Sequence, residues 1–226
     1  MSLAQAYAVQ HELIALRVAR GERVVGTKLG FTSKAKMAQM GVSEIIVGQL
    51  TDATRIEAGG VALARFIHPR IEPEVAFRLA RDVDPDDPDA DVATAVDAIA
   101  PALEIIDSRY RDFRFDLPSV VADNTSAAAF VVGDWVGLDG DVRTMADYDV
   151  ELLVDGTVAE RGSTADILGH PAAALHELTV MAARYGFSLT AGQVILAGAA
   201  TAAAPFAAGR AEARVHGLGS VTVRGI

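Results

Sequence analysis

Apolar residues at Tyr7, Ile14 and Val18 recur at helical spacing, so residues 4–20 read as an amphipathic helix closed by Gly21. The pattern then changes to a β-rich stretch over 23–31, with Lys28 where strand meets loop. Thr32 or Ser33 follows as a cap for a short helix through 36–40, closed by Gly41. Alternation returns in Arg70-Ile71-Glu72-Pro73-Glu74-Val75, which predicts a strand. The aspartate run 82–91, broken by Pro85 and Pro88, predicts a solvated connection, since it lacks the Gly and Glu pattern of an EF-hand loop. A short helix over 92–100 is expected to lead into a second strand in Pro101-Ala102-Leu103-Glu104-Ile105-Ile106-Asp107. Beyond it the pattern is mostly β. Segments 149–154 and 157–160 flank Asp155-Gly156, a type I′ hairpin signal. Pro171 and Gly186 bracket a helix through Ala174, Leu178 and Met181. Segment 193–197 reads as an apolar strand, and 212–224, punctuated by Gly217 and Gly219, as a terminal hairpin.

This order predicts an α+β fold in which a mixed or antiparallel sheet curls into a roll or barrel with peripheral helices. No linker or repeat divides the chain, so 1–226 is expected to be one domain. Within it, 1–50 would form a helical N-terminal part packed on a β-rich core, 51–226. A chain of 226 residues with 51% hydrophobic content can support one sizeable core.

Cysteine is absent, which excludes disulfides and zinc–thiolate sites and fits a reducing cytoplasm. Met1-Ser2-Leu3-Ala4-Gln5 lacks a basic leader, and no apolar run reaches membrane-spanning length, so a soluble intracellular protein is expected. A net charge of −10 argues against nucleic acid as a partner.

Glu72 and Glu74 change this picture. On a strand they share one face, about 6.5–7 Å apart, while Ile71, Val75 and Phe77 supply much of the buried opposite face. With Glu104 from the second strand they offer an all-oxygen ligand set. A buried cluster of carboxylates repels itself and loses hydration, and a hard divalent cation such as Mg²⁺ or Mn²⁺ is the natural compensation. From spacing alone the alternative stands that Glu72 and Glu74 mark the solvent side of a half-exposed strand. Pro73 between them removes an amide donor, which implies an edge strand or a donor the ladder would not use.

Several longer motifs act as a set. Gly26-Thr27-Lys28-Leu29-Gly30-Phe31-Thr32-Ser33, Pro69-Arg70-Ile71-Glu72-Pro73-Glu74, Glu104-Ile105-Ile106-Asp107-Ser108-Arg109 and Val121-Ala122-Asp123-Asn124-Thr125-Ser126 resemble the fumarylacetoacetate hydrolase superfamily. The resemblance is to its hydratase/decarboxylase branch, which acts on 2-oxo acids in meta-cleavage degradation of aromatics. Residues 35–42, Asp107-Ser108-Arg109-Tyr110, Phe113, Phe115-Asp116-Leu117 and 119–124 are more similar to the decarboxylase members than to the vinylpyruvate hydratases.

The resemblance runs from Ala6 to Val223 and implies a metal-dependent decarboxylation of 2-oxo-3-hexenedioate, a small anionic 2-oxo acid, to 2-hydroxypenta-2,4-dienoate. Hydration of that dienol on the same scaffold, or a catalytically silent partner subunit, are the alternatives. It further implies Glu72, Glu74 and Glu104 as ligands of Mg²⁺ or Mn²⁺, Lys28 as the active-site lysine, Ser126 as a serine near substrate and Asp52 as an acidic active-site residue. Arg109 and Tyr110 are expected to bind the distal carboxylate. A homo-oligomer and a complex with vinylpyruvate hydratase are the implied partners.

Each of these residues has a plainer reading. Lys28 could snorkel to water, Ser126 could cap a helix through Ala127-Ala128-Ala129, and Arg109 could pair with Asp107. His68, His170 and His176 read as capping or packing residues, and Met37 and Met40 as core contacts. The chain departs from the family pattern in two places. Relatives are expected to begin some tens of residues earlier, and Gly198-Ala199 stands where a Gly-Gly pair is common, adding a methyl close to the substrate.

Overall fold

The computed structural model describes residues 1–33, 37, 44–57 and 60–226. Helix α1 (Leu3–Ala19) starts at a capping box in which the Ser2 hydroxyl accepts from Gln5 N–H and the Gln5 side chain answers to Ser2 N–H. It buries Ala6, Tyr7, Gln10 and Ile14, whereas Val18, expected on the same face, is exposed. The helix expected over 36–40, its Gly41 stop and Met40 lie outside the described residues; Met37 packs against the core.

The strands are β1 (Val24–Gly30), β2 (Ile46–Thr51), β3 (Arg70–Leu79), β4 (Val96–Ile106), β5 (Ala127–Val132), β6 (Val136–Gly137), β7 (Asp149–Val154), β8 (Thr157–Ser163), β9 (Val194–Ala199), β10 (Ala204–Pro205), β11 (Gly209–Val215) and β12 (Gly219–Gly225). The larger, eight-stranded sheet runs β2-β1-β9-β3-β4-β5, with β10 on β3 and β6 on β4; the smaller one runs β12-β11-β7-β8. Among the strands of the described residues only β1 and β9 pair in parallel, so the large sheet is mixed, and it curls into a half-barrel as expected. Residues 24–51 therefore supply two strands of the main sheet, and the division expected at 50/51 falls inside β2.

β3 and β4 are buried on both faces along most of their length, which is why they carry long apolar runs rather than strict alternation. Ile71, Leu103 and Ile105 meet Leu152, Ala213 and Val223 of the small sheet. Val75, Phe77 and Ile99 pack instead with Tyr7 of α1, Val120 and Val121 of α2 (Leu117–Ala122), and Leu175 and Leu178 of α3 (Pro171–Tyr185). β3 lies in the interior of the sheet, which corrects the edge-strand reading of Pro73. Its carbonyl accepts from Ala200 N–H on the β9 side, and its nitrogen points the same way, past the end of β9, where no ladder donor is needed.

The helix expected over 92–100 is a single 3₁₀ turn, Val92–Ala95, capped by Asp91, after which β4 begins. The alanine-rich pattern favours a helix locally, but pairing with β3 from Leu79↔Val96 to Arg70↔Ile106 overrides it. The hairpin at Asp155-Gly156 forms with φ of 48° and 81°, and α3 starts at His170-Pro171 and ends at left-handed Gly186. The run 82–91 is a set of turns with most of its aspartates exposed. Among the described residues no helix is long and apolar enough to cross a membrane.

Candidate metal centre and active-site pocket

β3 and β4 pair so that Glu72 stands directly across from Glu104, with Glu74 one pleat along on the same face. Like charges in directly opposed positions destabilise a sheet unless something compensates them. All three are buried, at 8%, 0% and 0% exposure, so the solvent-face reading of this motif fails. One carboxylate oxygen from each lies within 4.8 Å of the others.

Lys28 reaches this cluster from β1. It is buried rather than snorkelling, with its Nζ 3.0 Å from Glu104 Oε2 and donating to the Thr125 carbonyl at 3.3 Å. Burial works against its charge, but the carboxylates of Glu104, Glu74 and Glu72 outweigh that and hold its pKa above the ordinary value. Burial pushes Glu74 well above the usual carboxylate range, the Glu104 charge adds to the effect, and Lys28 offsets part of it. Burial raises Glu104 as well, against the pull of Lys28.

A bulge on β9 supplies one more group. Between Glu74↔Ala199 and Ala76↔Leu196 the β9 strand carries an extra residue. There Gly198, at φ +106°, turns its N–H onto Glu74 Oε2 at 2.8 Å. A Cβ at Gly198 would stand 2.0 Å from Thr32 Oγ1, so the position excludes a side chain. Its neighbour Ala199 lines the pocket, which places the extra methyl expected there on the pocket wall.

The pocket over the cluster has a polar floor of Lys28, Glu72, Thr32, Thr125 and Ser126, and a largely apolar wall that includes Leu29, Ile46, Ile106, Phe113, Phe115 and Val120. Ser126 does not cap a helix, because residues 127–132 form β5. Its Oγ is buried in the floor. Glu74 Oε1, Glu104 Oε1, Thr125 Oγ1 and Ser126 Oγ have no hydrogen-bond partner among the described residues. Buried oxygens left in this state cost roughly 1–3 kcal/mol each, more when charged. All-oxygen donors, buried negative charge and orphaned carboxylate atoms together fit a hard divalent cation.

Other expected residues stand elsewhere. Asp52 lies on a 3₁₀ turn at the surface, where it accepts from the backbone and side chain of Arg23 at 3.0 Å, and these bonds lower its pKa. Arg109 is more than half exposed and pairs with Asp123, not Asp107; Asp107 instead accepts from Ile67 and His68 N–H at 2.7 and 2.8 Å. Tyr110 packs edge-on against Phe115, outside the pocket lining. His68 stacks on Phe113 and contacts the Ser108 carbonyl, His170 caps α3, and His176 is exposed. The Gly198 N–H and the Thr125 carbonyl escaped the sequence reading, although a glycine inside an apolar strand is itself a signal of a bulge.

The curled mixed sheet with a buried carboxylate triad and a lysine at its floor defines a metal-site fold, and the chain belongs to the fumarylacetoacetate hydrolase family: residues 23–224 match the family's fumarylacetoacetate (FAA) hydrolase C-terminal description. It is 46% identical to a 4-oxalocrotonate decarboxylase from Pseudomonas sp, over 98% of this chain and 86% of that protein. It is 39% identical to a 2-keto-4-pentenoate hydratase from Burkholderia vietnamiensis, over 96% of this chain and 83% of that protein. Its fold superposes on 4-oxalocrotonate decarboxylase from Pseudomonas putida G7, complexed with magnesium and adipate, with a TM-score of 0.89 at 40% identity, over 100% of this chain and 87% of the other.

Proposed function

We propose that this chain decarboxylates 2-oxo-3-hexenedioate (4-oxalocrotonate) to 2-hydroxypenta-2,4-dienoate and CO₂ in a divalent-metal-dependent reaction, in the cytoplasm and as a homo-oligomer. The observation that carries this reading is the buried Glu72, Glu74 and Glu104 set with the Lys28 ammonium against it, in a chain so similar to 4-oxalocrotonate decarboxylases. These glutamates would hold Mg²⁺ or Mn²⁺; when bound, the ion supplies a Lewis acid toward a 2-oxo acid. Adipate, seen with magnesium in the Pseudomonas putida G7 enzyme, is a saturated diacid with the same number of carbons as the proposed substrate.

The substrate is a vinylogous β-keto acid. As its distal carboxylate leaves, the electron pair of the breaking C–C bond moves through the double bond toward the 2-oxo oxygen. Lys28 puts a fixed positive charge at the pocket floor, where it neutralises the C1 carboxylate or the oxygen gaining charge. The Ser126 hydroxyl, buried and unpaired, orients that end of the substrate. The wall of Ile46, Ile106, Phe113, Phe115 and Val120 excludes water and suits a carboxylate that becomes apolar CO₂. Arg109 and Tyr110 take no part in this reading, since Asp123 engages the first and neither lines the pocket.

Hydration of 2-hydroxypenta-2,4-dienoate is the second reading, supported by the 39% identity to a hydratase and by a floor that would stabilise an enolate in either reaction. Incubating each substrate with the purified protein and Mg²⁺ separates them. CO₂ release from the diacid is the expected result; 4-hydroxy-2-oxopentanoate formed from the dienol, with no CO₂ from the diacid, would establish the hydratase. Metal binding without either turnover would leave a silent subunit. A complex with a vinylpyruvate hydratase is part of the proposal and would appear as co-purification of the two proteins.

A further inference from the structure

The turn Asn124-Thr125-Ser126 holds three consecutive non-glycine residues in the left-handed region, at φ 51°, 52° and 58°. Ser126 N–H donates to the Asp123 carbonyl at 3.1 Å, and Ala127 N–H donates to that of Asn124, closing the turn on itself. Residues in this state persist only when their surroundings over-determine them, and they gather at functional sites. Here the determinant is a side chain. Asn124 Oδ1 accepts from Gln49 N–H at 2.8 Å and its Nδ2 donates to the Gln49 carbonyl at 2.9 Å, so the amide pairs with β2 as a neighbouring strand would. Gln49 is tied in turn to His11 Nδ1 through its Nε2, at 3.2 Å.

Gly48 is the other half of the clamp. A Cβ there would lie 2.2 Å from Thr125 Oγ1 and 2.8 Å from the Asn124 carbonyl, so the turn rests directly on the β2 backbone. Two consequences reach the pocket. The Thr125 carbonyl accepts from Lys28 Nζ, and the Ser126 hydroxyl, 3% exposed as a residue and unpaired, lines the floor. Asn124 does not line the pocket, so it acts through its neighbours.

We infer that Asn124 is a positioning residue: its amide, locked on Gln49, holds the left-handed turn that presents the Thr125 carbonyl to Lys28 and the Ser126 hydroxyl to the substrate. The inference rests on reading the pocket as a 2-oxo acid site. Its effect should fall on substrate and spare the metal, because the three glutamates stand on β3 and β4 and not on the turn.

Asn124→Gly separates the two roles of the residue, since glycine accepts the left-handed backbone but has no amide. Calorimetric titration of Mg²⁺, then of oxalate as a 2-oxo acid mimic, should give an unchanged Mg²⁺ affinity and oxalate binding weakened roughly 10–100-fold. Asn124→Asp should behave alike, because it sets a second acceptor against the Gln49 carbonyl. Gly48→Ala should act on the same turn, so the double variant should lose less than the sum of the two single losses. Unchanged oxalate affinity in Asn124→Gly would overturn the inference, as would Mg²⁺ and oxalate affinities falling together with Tm. Should the parent bind Mg²⁺ and oxalate yet turn over neither substrate, the functional reading fails while the oxalate titration still decides the role of Asn124.

Discussion

Glu104 has no exposed surface, and its carboxylate sits among those of Glu72 and Glu74 with Lys28 as counter-charge. Replacing it by glutamine removes one carboxylate charge and with it some repulsion. Glu104→Gln is therefore expected to lose Mg²⁺ binding in calorimetry while its metal-free form melts no lower than the parent. Lys28→Met should do the reverse. It leaves the buried carboxylates uncompensated, so the metal-free protein should melt lower and regain stability with Mg²⁺. On the proposed reading, in which the ammonium faces the oxygen that gains charge, kcat should fall by about 10²–10³-fold, with a smaller change in KM. At this scale the long motifs carry the residues that the fold gathers in one place, Lys28, Ser126 and the three glutamates, whatever their roles. The sequence did not announce the partners of Asp52 and Arg109, because Arg23 and Asp123 are brought to them by turns that no local pattern marks.

The elements position these residues through two devices, the β3–β4 register and the β9 bulge. The bulge brings the Gly198 N–H to Glu74, and its φ of +106° with Thr32 packed alongside leaves no room for a methyl. Gly198→Ala should cost about 1–3 kcal/mol in denaturant unfolding and weaken Mg²⁺ binding, because the strand must move the N–H away from the carboxylate. Beside the glutamates, on the same face of the sheet, Phe130 pairs across from Glu104 and is fully buried with Leu50, Ala76 and Leu196. Phe130→Ala should lose about 3–5 kcal/mol of stability. Elements bounded by strong local chemistry were readable from sequence, as the Asp155-Gly156 hairpin and the Pro171-to-Gly186 helix show. The segment 92–100 was not, because its short alanine-rich run takes its conformation from β3, and an extra residue in β9 leaves no mark beyond one glycine.

For the whole molecule, the buried triad sets an unusual dependence on pH. Burial raises Glu74 and Glu104 above the ordinary carboxylate value of 4.5, so the metal-free folded state holds more protons there than the unfolded chain. Stability then has a negative slope with pH from these groups: their contribution is present below the ordinary value and is lost as pH rises through the folded pKa values. Lowered carboxylates such as Asp52 and Asp97 act in the opposite sense, but they are solvent-screened and weaker. Thermal melts from pH 5 to 8, without and with Mg²⁺, should accordingly show Mg²⁺ raising Tm more at the higher pH, with protons released on binding. The account as a whole turns on whether the carboxylates and Lys28 form one site for a metal and a 2-oxo acid. A crystal structure with Mg²⁺ and oxalate tests this most directly. The expected result is one ion held by Glu72, Glu74 and Glu104, with oxalate between it and the Lys28 and Ser126 side chains; carboxylates turned apart with no ion between them would contradict it.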